Sequence, residues 1–182
     1  MADTARGFIR GERLYLREVG LTDVSESYRR WMNDPEVTQY TESRFFPHSI
    51  DSLREYVSRF AGDRRNLFLA IVLRAGDRHI GNIKLGPIDW IHRRGDIGIL
   101  IGEKDCWGQG YATEAIRMLT DYAFHGLNLR RVTAGCYATN LASQKAFLKA
   151  GWHQEGVRQG QYFSAGGYVD EVLIAMDRAD AS

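Results

Sequence analysis

The chain has 182 residues, 44% of them hydrophobic and 12% aromatic, which is enough for one sizeable core and argues against several domains. Its 24 basic and 23 acidic residues give a formal charge of +1, so neither a nucleic acid nor an anionic membrane is expected as a partner. Two cysteines are too few for a disulfide framework and lack zinc-ligand spacing, which predicts no metal and a reducing cytoplasm. No apolar run reaches the roughly 18 to 20 residues of a membrane helix. We therefore expect a single domain over residues 1–182, with a core from about 8 to 177 and frayed ends.

The first part of the chain predicts a strand followed by two helices. Leu14 and Leu16 alternate with polar residues, as in a half-buried strand. A helix is expected to start at Asp23 and to end before Pro35, which cannot continue it. A second helix is expected after Ser49. Further along the chain, short apolar segments bounded by turn residues predict strands over residues 67–73, 79–85, 95–101, 132–137, 152–162 and 168–176.

The run Trp107-Gly108-Gln109-Gly110-Tyr111-Ala112-Thr113 predicts a phosphate-binding turn, because its two glycines stand between a strand and a helix. The first amides of a helix lack partners and carry partial positive charge, and glycine lets the backbone approach an anion closely. A tight strand-to-helix turn without a ligand is the alternative. The run has neither the Gly-Lys-Ser/Thr ending of a Walker A loop nor the third glycine of a dinucleotide fingerprint, which disfavours both of those ligands.

The same run resembles the acetyl-CoA loop of the GCN5-related N-acetyltransferases (GNAT), and the letters WGQGYATEA resemble their ribosomal-protein-acetyltransferase branch, of RimJ and RimL type. A second segment, NLASQKAFLKAGW at 140–152, resembles the family's later signature. The resemblance extends from Arg13 to Met176. It implies an α/β or α+β fold with a mixed, mostly antiparallel sheet of about seven strands, flanked by helices. Two parallel strands, those of Asp96 and Val132, would splay to admit the pantetheine arm of acetyl-CoA.

The resemblance also implies the cofactor contacts. Backbone groups of Ile99, Leu100 and Ile101 would pair with the pantetheine amides, and Asn140 would bond the arm from the other side. For Asn140, a role as helix N-cap is equally expected and compatible with that contact. Trp107 departs from the family's usual Gln or Arg but leaves the backbone donors in place. The other expected cofactor contacts are Gly108, Gln109, Gly110, Tyr111, Ala112, Thr113, Ser143 and Phe147.

Acetyl transfer to an amine needs a base, because an alkylammonium has a pKa of about 10.4. It also needs donors at the thioester oxygen, and a backbone N–H near Leu100 is expected to serve. Asp96 is the first candidate for the base, since many family members carry a strand Glu there; its shorter side chain favours an intervening water. The alternative is a strand-edge salt bridge with Arg94. Weaker candidates, expected to be surface residues, are Glu103, Asp170 and His92.

Two residues of the second segment, 140–152, concern the return of a proton to the leaving thiolate. Phe147 stands where many family members have a tyrosine that returns a proton to the thiolate, and a phenyl ring cannot donate one. Ser143 is the expected substitute, because the ribosomal-protein branch resembles this chain in carrying a serine at that point. Capping of its own helix is the alternative role for Ser143.

The acceptor is expected between the first helices and the closing hairpin, where aromatic residues accumulate. A polyamine would need clustered carboxylates, and the sequence shows none there. The stretch 81–102 resembles family members associated with surface polysaccharide synthesis, which implies a nucleotide-linked amino sugar as acceptor. The alternatives are a ribosomal-type protein N-terminus, a drug or polyamine, and an acetyl-CoA sensor without turnover. The branch is often dimeric, which makes a homodimer an open expectation. The aromatic and polar residues considered are Trp31, Tyr40, Phe45, Phe46, His48, Trp90, Tyr162, Phe163 and Tyr168.

Overall fold

A computed structural model describes residues 7–179, and eight strands within this range form one sheet. The expected fraying of the ends falls mainly on residues 1–6 and 180–182, which lie outside it. The strands are β1 (Ile9–Arg10), β2 (Leu14–Glu18), β3 (Leu67–Leu73), β4 (His79–Leu85), β5 (Arg94–Ile101), β6 (Arg131–Tyr137), β7 (His153–Ser164) and β8 (Gly167–Asp177).

Five α-helices flank the sheet in the described part of the chain. None of the helices in this range is long and apolar enough to cross a lipid bilayer. They are α1 (Glu26–Asn33), α2 (Pro35–Thr38), α3 (Ile50–Ser58), α4 (Tyr111–His125) and α5 (Leu141–Lys149).

The sheet has the order β1-β2-β3-β4-β5-β6-β8-β7, and its neighbours are antiparallel except for β5 and β6. This confirms the predicted mixed, mostly antiparallel sheet; the strand that the sequence did not predict is the two-residue β1. The parallel contact is short. It begins at Arg94 beside Arg131 and ends at Asp96 beside Thr133, after which the two strands separate. A gap therefore opens in the middle of the sheet.

Helices cover the two faces of the sheet over different strands. On one face α4 and α5 pack on β5, β6 and β8, where Ile97, Ile116 and Phe147 are buried in a shared core. On the other face α1 and α3 pack on β2 and β3, with Trp31 and Leu53 in the core. On this second face Gly135 of β6 is exposed. The α1 and α3 side of the gap is therefore open to solvent.

The helix expected from Asp23 begins later, at Glu26, because Ser25 is its N-cap and accepts a hydrogen bond from the Tyr28 amide. Asp23 instead ends a short 3-10 turn, and its carboxylate is buried. It accepts hydrogen bonds from the Arg17 guanidinium at 2.6 and 2.7 Å and from the Gly20 amide at 2.8 Å. Burial raises the pKa of Asp23, but these hydrogen bonds outweigh it and hold the pKa below its usual range.

Pro35 both follows the end of α1, as predicted, and begins α2. The Asp34 side chain caps this second helix by accepting from the Glu36 amide at 2.9 Å. The chain thereby turns without a long loop. Residues 39–47 then cross the open face and reach the β7–β8 hairpin, where Arg44 bonds the Phe163 carbonyl.

We predict that Asp23→Ala lowers the free energy of unfolding by about 2–3 kcal/mol, because it leaves the Arg17 charge without its partner and the Gly20 amide without an acceptor. Urea unfolding at neutral pH measures the change. Glu26→Ala is the matched control, since Glu26 forms an exposed pair with Arg29 and should change stability by less than about 0.5 kcal/mol. Equal losses in the two variants would contradict a structural role for the buried pair.

Candidate active site

The gap between β5 and β6 exposes backbone groups of β5 to a ligand. The Asp96 carbonyl accepts from the Gly86 amide at 2.8 Å, so the backbone groups of Asp96 face β4. Because these groups alternate along an antiparallel strand, Leu100 also faces β4, where its partner is Asn82. Ile99 and Ile101 face the gap. Of the three residues expected to contact pantetheine, Ile99 and Ile101 therefore have their backbone groups in the gap and Leu100 does not; the N–H groups near Leu100 that face the gap are those of Ile99 and Ile101.

The predicted phosphate-binding turn lies at the open end of this gap. Gly108 has φ +73° and Gly110 has φ +81°, the left-handed region in which side chains are strained. Gly110 is the N-cap of α4, and the Glu114 amide makes the first bond back to its carbonyl at 3.1 Å. The three amides before Glu114 belong to Tyr111, Ala112 and Thr113 and lead out of the helix end. The geometry suits an anion.

Arg13 fixes this turn from the start of β2, a contact that the sequence did not reveal. Its Nε donates to the Glu114 carboxylate at 2.8 Å, and its Nη1 donates to the Gln109 carbonyl at 2.9 Å. Its guanidinium lies 4.7 Å from the centre of the Tyr111 ring. Trp107 is tied to β5, because its indole Nε1 donates to the Ile101 carbonyl at 2.9 Å. The turn is held in its shape before any ligand arrives.

The α5 residues lie on the helix-covered face of the gap. Asn140 is the N-cap of α5 and accepts from the Ser143 amide at 3.2 Å, so the predicted capping role is present. The Ser143 hydroxyl lies 3.4 Å from the Cys136 sulfur of β6. Phe147 is buried in the core, with its ring 4.8 Å from that of Trp152. The structure places Ser143 beside β6 and Phe147 in the core beneath α5.

Asp96 lies where the gap closes, on the open face of the sheet. Its Oδ2 accepts from the Thr133 hydroxyl at 2.9 Å. Solvent reaches the carboxylate through the cleft, but the surrounding protein removes much of its hydration, and this raises its pKa to about 6. Glu171 raises it further, whereas the Thr133 hydrogen bond and the Lys84 charge lower it. A pKa near neutrality suits a general base.

The alternatives to Asp96 as base are placed elsewhere. Arg94 pairs with Asp89 at 3.6 Å, so the expected strand-edge salt bridge between Arg94 and Asp96 is not the one found. Glu103 accepts from the indole of α1 at 2.8 Å, and Asp170 from a backbone amide of β7 at 2.8 Å. His92 lies in the exposed β4–β5 loop. Within residues 7–179, no group of three His, Cys, Asp or Glu side chains is arranged to hold a metal.

A second carboxylate lies on the same open face as Asp96. Glu171 of β8 is buried and accepts from the Tyr162 hydroxyl at 2.6 Å and from Arg158 Nη1 at 2.9 Å. Burial and the bond to Glu171 raise the pKa of Tyr162. A Cβ on Gly135 would lie 2.0 Å from Glu171 Oε1, so a side chain at this position would displace the Glu171 carboxylate. The alternating pattern of β6 places Gly135 on the open face. Its neighbour there, Glu171 of β8, could not be predicted from the sequence.

A groove of about 880 Å³ continues from the open face, between residues 39–47 and the β7–β8 hairpin, the region in which the acceptor was expected. Tyr40, Phe45 and Phe46 line it. Trp31 is buried in the core, and Trp90 lies away in the β4–β5 loop, so these two do not take part. Of the remaining residues of the expected aromatic set, Tyr162, Phe163 and Tyr168 lie on the β7–β8 hairpin, and His48 directly follows residues 39–47.

Comparison with known proteins adds three findings. The family model described as acetyltransferase (GNAT) domain matches residues 13–153. The uncharacterised N-acetyltransferase p20 of Bacillus licheniformis is 30% identical over 169 residues, 91% of this chain and 93% of that protein. The spermidine N(1)-acetyltransferase of Vibrio cholerae is 25% identical over 167 residues, 92% of this chain and 88% of that protein.

A solved structure shares the fold. Mycobacterium smegmatis RimJ in complex with CoA-disulfide superposes with a TM-score of 0.80 at 22% identity, over 90% of this chain and 81% of that chain. The family match, over 13–153, takes in the glycine turn, both strands of the gap and the whole of α5.

Proposed function

The chain belongs to the acetyltransferase (GNAT) family, whose members use acetyl-CoA, and we propose that it moves the acetyl group to a primary amine in the gap between β5 and β6. The observation that carries this proposal is the gap itself. Backbone groups of Ile99 and Ile101 face it, a turn with outward amides lies at its open end, and Asp96 lies where it closes. The chain is thus an N-acetyltransferase with a site for a linear, phosphate-bearing donor.

The residues present fit acetyl-CoA. The turn around Gly108 and Gly110 would hold the diphosphate through backbone amides, as helix N-termini do. Ile99 and Ile101 would bond the pantetheine amides as a neighbouring strand would. The Asn140 side-chain oxygen is used in capping, which leaves its amide nitrogen to donate to the same arm. When bound, acetyl-CoA supplies an activated acetyl group.

The chain's own groups then complete the transfer. Asp96 takes the proton of the acceptor ammonium, through a water because its side chain is short, and the amine nitrogen attacks the thioester carbon. The C–N bond forms, the C–S bond breaks, and amides that face the gap stabilise the carbonyl oxygen. Ser143 lies on the opposite face of the gap from Asp96 and gives its hydroxyl proton to the departing thiolate, and the second proton, which the amine nitrogen releases once the C–N bond has formed, restores the hydroxyl through water. Phe147, buried in the core, takes no part in that step.

The acceptor is a small-molecule or peptide amine in this proposal. Neither curated relative described above is named for a sugar, and one is named for spermidine, so the relatives give no support to a nucleotide-linked amino sugar. The elevated pKa of Asp96 favours turnover over an acetyl-CoA sensor. Release of free thiol from acetyl-CoA, measured with peptides, polyamines, aminoglycosides and amino sugars, tests the proposal. A homodimer and a cytoplasmic setting stay predictions.

We predict that Gly110→Ala weakens CoA binding at least tenfold while the fold persists, because a Cβ strains the left-handed turn and turns its amides away from the phosphates. Calorimetric titration with CoA measures the affinity. Gly76→Ala is the matched control, since Gly76 has φ +80° in the β3–β4 turn and, like Gly110, no atom with which an added Cβ would clash. Unchanged CoA affinity in Gly110→Ala would contradict this placement of the diphosphate.

We predict that Asp96→Asn lowers kcat by about 10²- to 10⁴-fold, the usual contribution of a general base. In the unaltered protein, kcat/KM should fall as pH drops through about 6, because a protonated Asp96 cannot accept a proton. The variant should lose that limb. Lys84, Glu171, Tyr162 and Cys136 are the other titratable groups that act electrostatically with Asp96, and they stay unaltered in the variant.

Asp89→Asn is the control for the base, because it changes the same side chain in the loop before β5, outside the gap. Its pH profile should match that of the unaltered protein. An Asp96→Asn enzyme with full kcat and the same acidic limb would remove Asp96 from the reaction.

We predict that Ser143→Ala lowers kcat about ten- to a hundredfold, with CoA affinity unchanged, if the hydroxyl returns the proton to the thiolate. Steady-state kinetics and CoA titration separate the two quantities. Ser58→Ala, at a serine that bonds only within α3, is the control. A parallel loss of CoA affinity and kcat in Ser143→Ala would instead indicate a binding or capping role.

A further inference from the structure

We infer that the acceptor carries a negative charge as well as its amine, and that Arg44, at the groove beside the gap, binds that carboxylate or phosphate group. The inference rests on the proposed function and names the chemical class of its acceptor. Three observations carry it: the fixed position of Arg44, the pairing of the nearby carboxylates, and the spacing between Arg44 and Asp96.

Arg44 is held in place by neutral groups from both sides of the groove. Its Nη1 donates to the Thr41 carbonyl at 2.7 Å and to the Tyr137 hydroxyl at 3.0 Å, and its Nη2 donates to the Phe163 carbonyl at 2.7 Å. The guanidinium lies 4.3 Å from the centre of the Phe45 ring and 5.1 Å from that of Tyr137. The Nε hydrogen and one Nη2 hydrogen make no hydrogen bond among residues 7–179 and can donate to a ligand.

Arg44 is a positive charge without a counter-ion in the described part of the chain, where no carboxylate lies within ion-pair distance of it. The groove lining over residues 7–179 likewise holds no Asp or Glu. Of the carboxylates that border the groove, Asp34 pairs with Lys104 at 2.7 Å and Glu171 pairs with Arg158, whereas Glu42, on the same segment as Arg44, is exposed and lies beyond ion-pair distance of it. A fixed, half-buried guanidinium of this kind favours an anion.

Asp96 has the opposite character. It is a carboxylate with no ion pair within residues 7–179; the cation that acts on it, Lys84 of β4, is beyond ion-pair distance. The site therefore offers one carboxylate for the amine at the gap and one guanidinium for an anion at the groove. A polyamine would meet Arg44 and Lys84 with its remaining ammonium groups, which is unfavourable.

Strand β6 sets the distance between the two ends. The Asp96 carboxylate accepts a hydrogen bond from Thr133. The Arg44 guanidinium donates one to Tyr137, four residues further along the same strand. At about 3.3 Å per residue this is roughly 13 Å along the strand, so the amine and the anion should be on the order of 10 Å apart. A single α-amino acid is too short, whereas an extended tripeptide has this length.

Aromatic rings lie near the two ends: Tyr40 is part of the groove lining, and Tyr137 is buried beside it. The Tyr137 and Tyr162 rings are stacked with centres 4.2 Å apart, and Tyr40 lies 5.7 Å from Tyr137. Such rings pack against planar, uncharged groups, such as peptide units or the body of a sugar. The acceptor is thus an amine and an anion joined by a flat or cyclic middle.

The experiment compares acceptors that differ in the anion alone. Trialanine is compared with trialanine amide, and an aminohexose phosphate with the aminohexose, with spermidine as the cationic acceptor. We expect the anionic member of one pair to have at least a tenfold higher kcat/KM, carried by KM. The carboxylate pair and the phosphate pair distinguish the two sources of the charge. Preference for the uncharged members or for spermidine would overturn the inference.

Variants of Arg44 assign the effect. Arg44→Gln should remove the preference, because it raises KM for the anionic member by a larger factor than KM for its uncharged partner, and Arg44→Lys should keep part of it. Arg54→Gln, at an exposed arginine of α3, is the control. An equal loss for charged and uncharged acceptors in Arg44→Gln would show that Arg44 only holds the groove together, which would overturn the inference.

Binding separates this inference from the proposed function. Ligand-observed NMR in the presence of saturating CoA measures acceptor binding without turnover. Binding of the anionic acceptor that depends on Arg44, with no thiol release, would overturn the proposed function and keep the anion site. Turnover of amines without any effect of their charge would keep the proposed function and overturn the anion site. Binding of no anionic acceptor would also overturn it.

Discussion

The structure depends on the short parallel contact between β5 and β6. Beyond Asp96 and Thr133, β5 stays with β4 as far as Ile101, and β6 stays with β8 along its whole length. Two twisted half-sheets therefore share three residue pairs and then diverge. The amides and carbonyls left in the gap need partners, because unpaired backbone groups are costly to bury. A ligand with its own amides can replace water there as an additional strand would.

The divergence also separates the two kinds of chemistry by face. Ile97 and Cys136 belong to the helix-covered face, so Ser143 approaches the gap from the side of α5. Asp96 and Thr133 belong to the open face, together with the glycine that makes room for Glu171. In the reaction we propose, the amine would lose a proton on the face of Asp96, and the thiolate would gain one on the face of Ser143.

The sequence predicted most of this fold because its signals are local. The strands at 67–73 and 79–85 were predicted to the residue, and the glycine turn was predicted from spacing alone. Asp23 predicts a helix start because an acidic residue often stands before an apolar helical pattern. In the structure its side chain instead bonds Arg17, a contact that depends on tertiary structure. Arg13, Arg44 and Glu171 were missed for the same reason. Each acts on a residue far away in the chain, and no periodicity records such a contact.

The same reasoning explains why the second carboxylate of the open face, Glu171, could not be predicted from the sequence. Asp96 and Glu171 are far apart in the chain, yet the register of β5, β6 and β8 brings them to one face, where each acts electrostatically on the other. Their surroundings differ. Glu171 accepts hydrogen bonds from an arginine and a tyrosine, whereas Asp96 accepts one from a single hydroxyl, and burial raises the pKa of Asp96. The two carboxylates thus differ in their partners, and the difference follows from β7, which supplies Arg158 to Glu171.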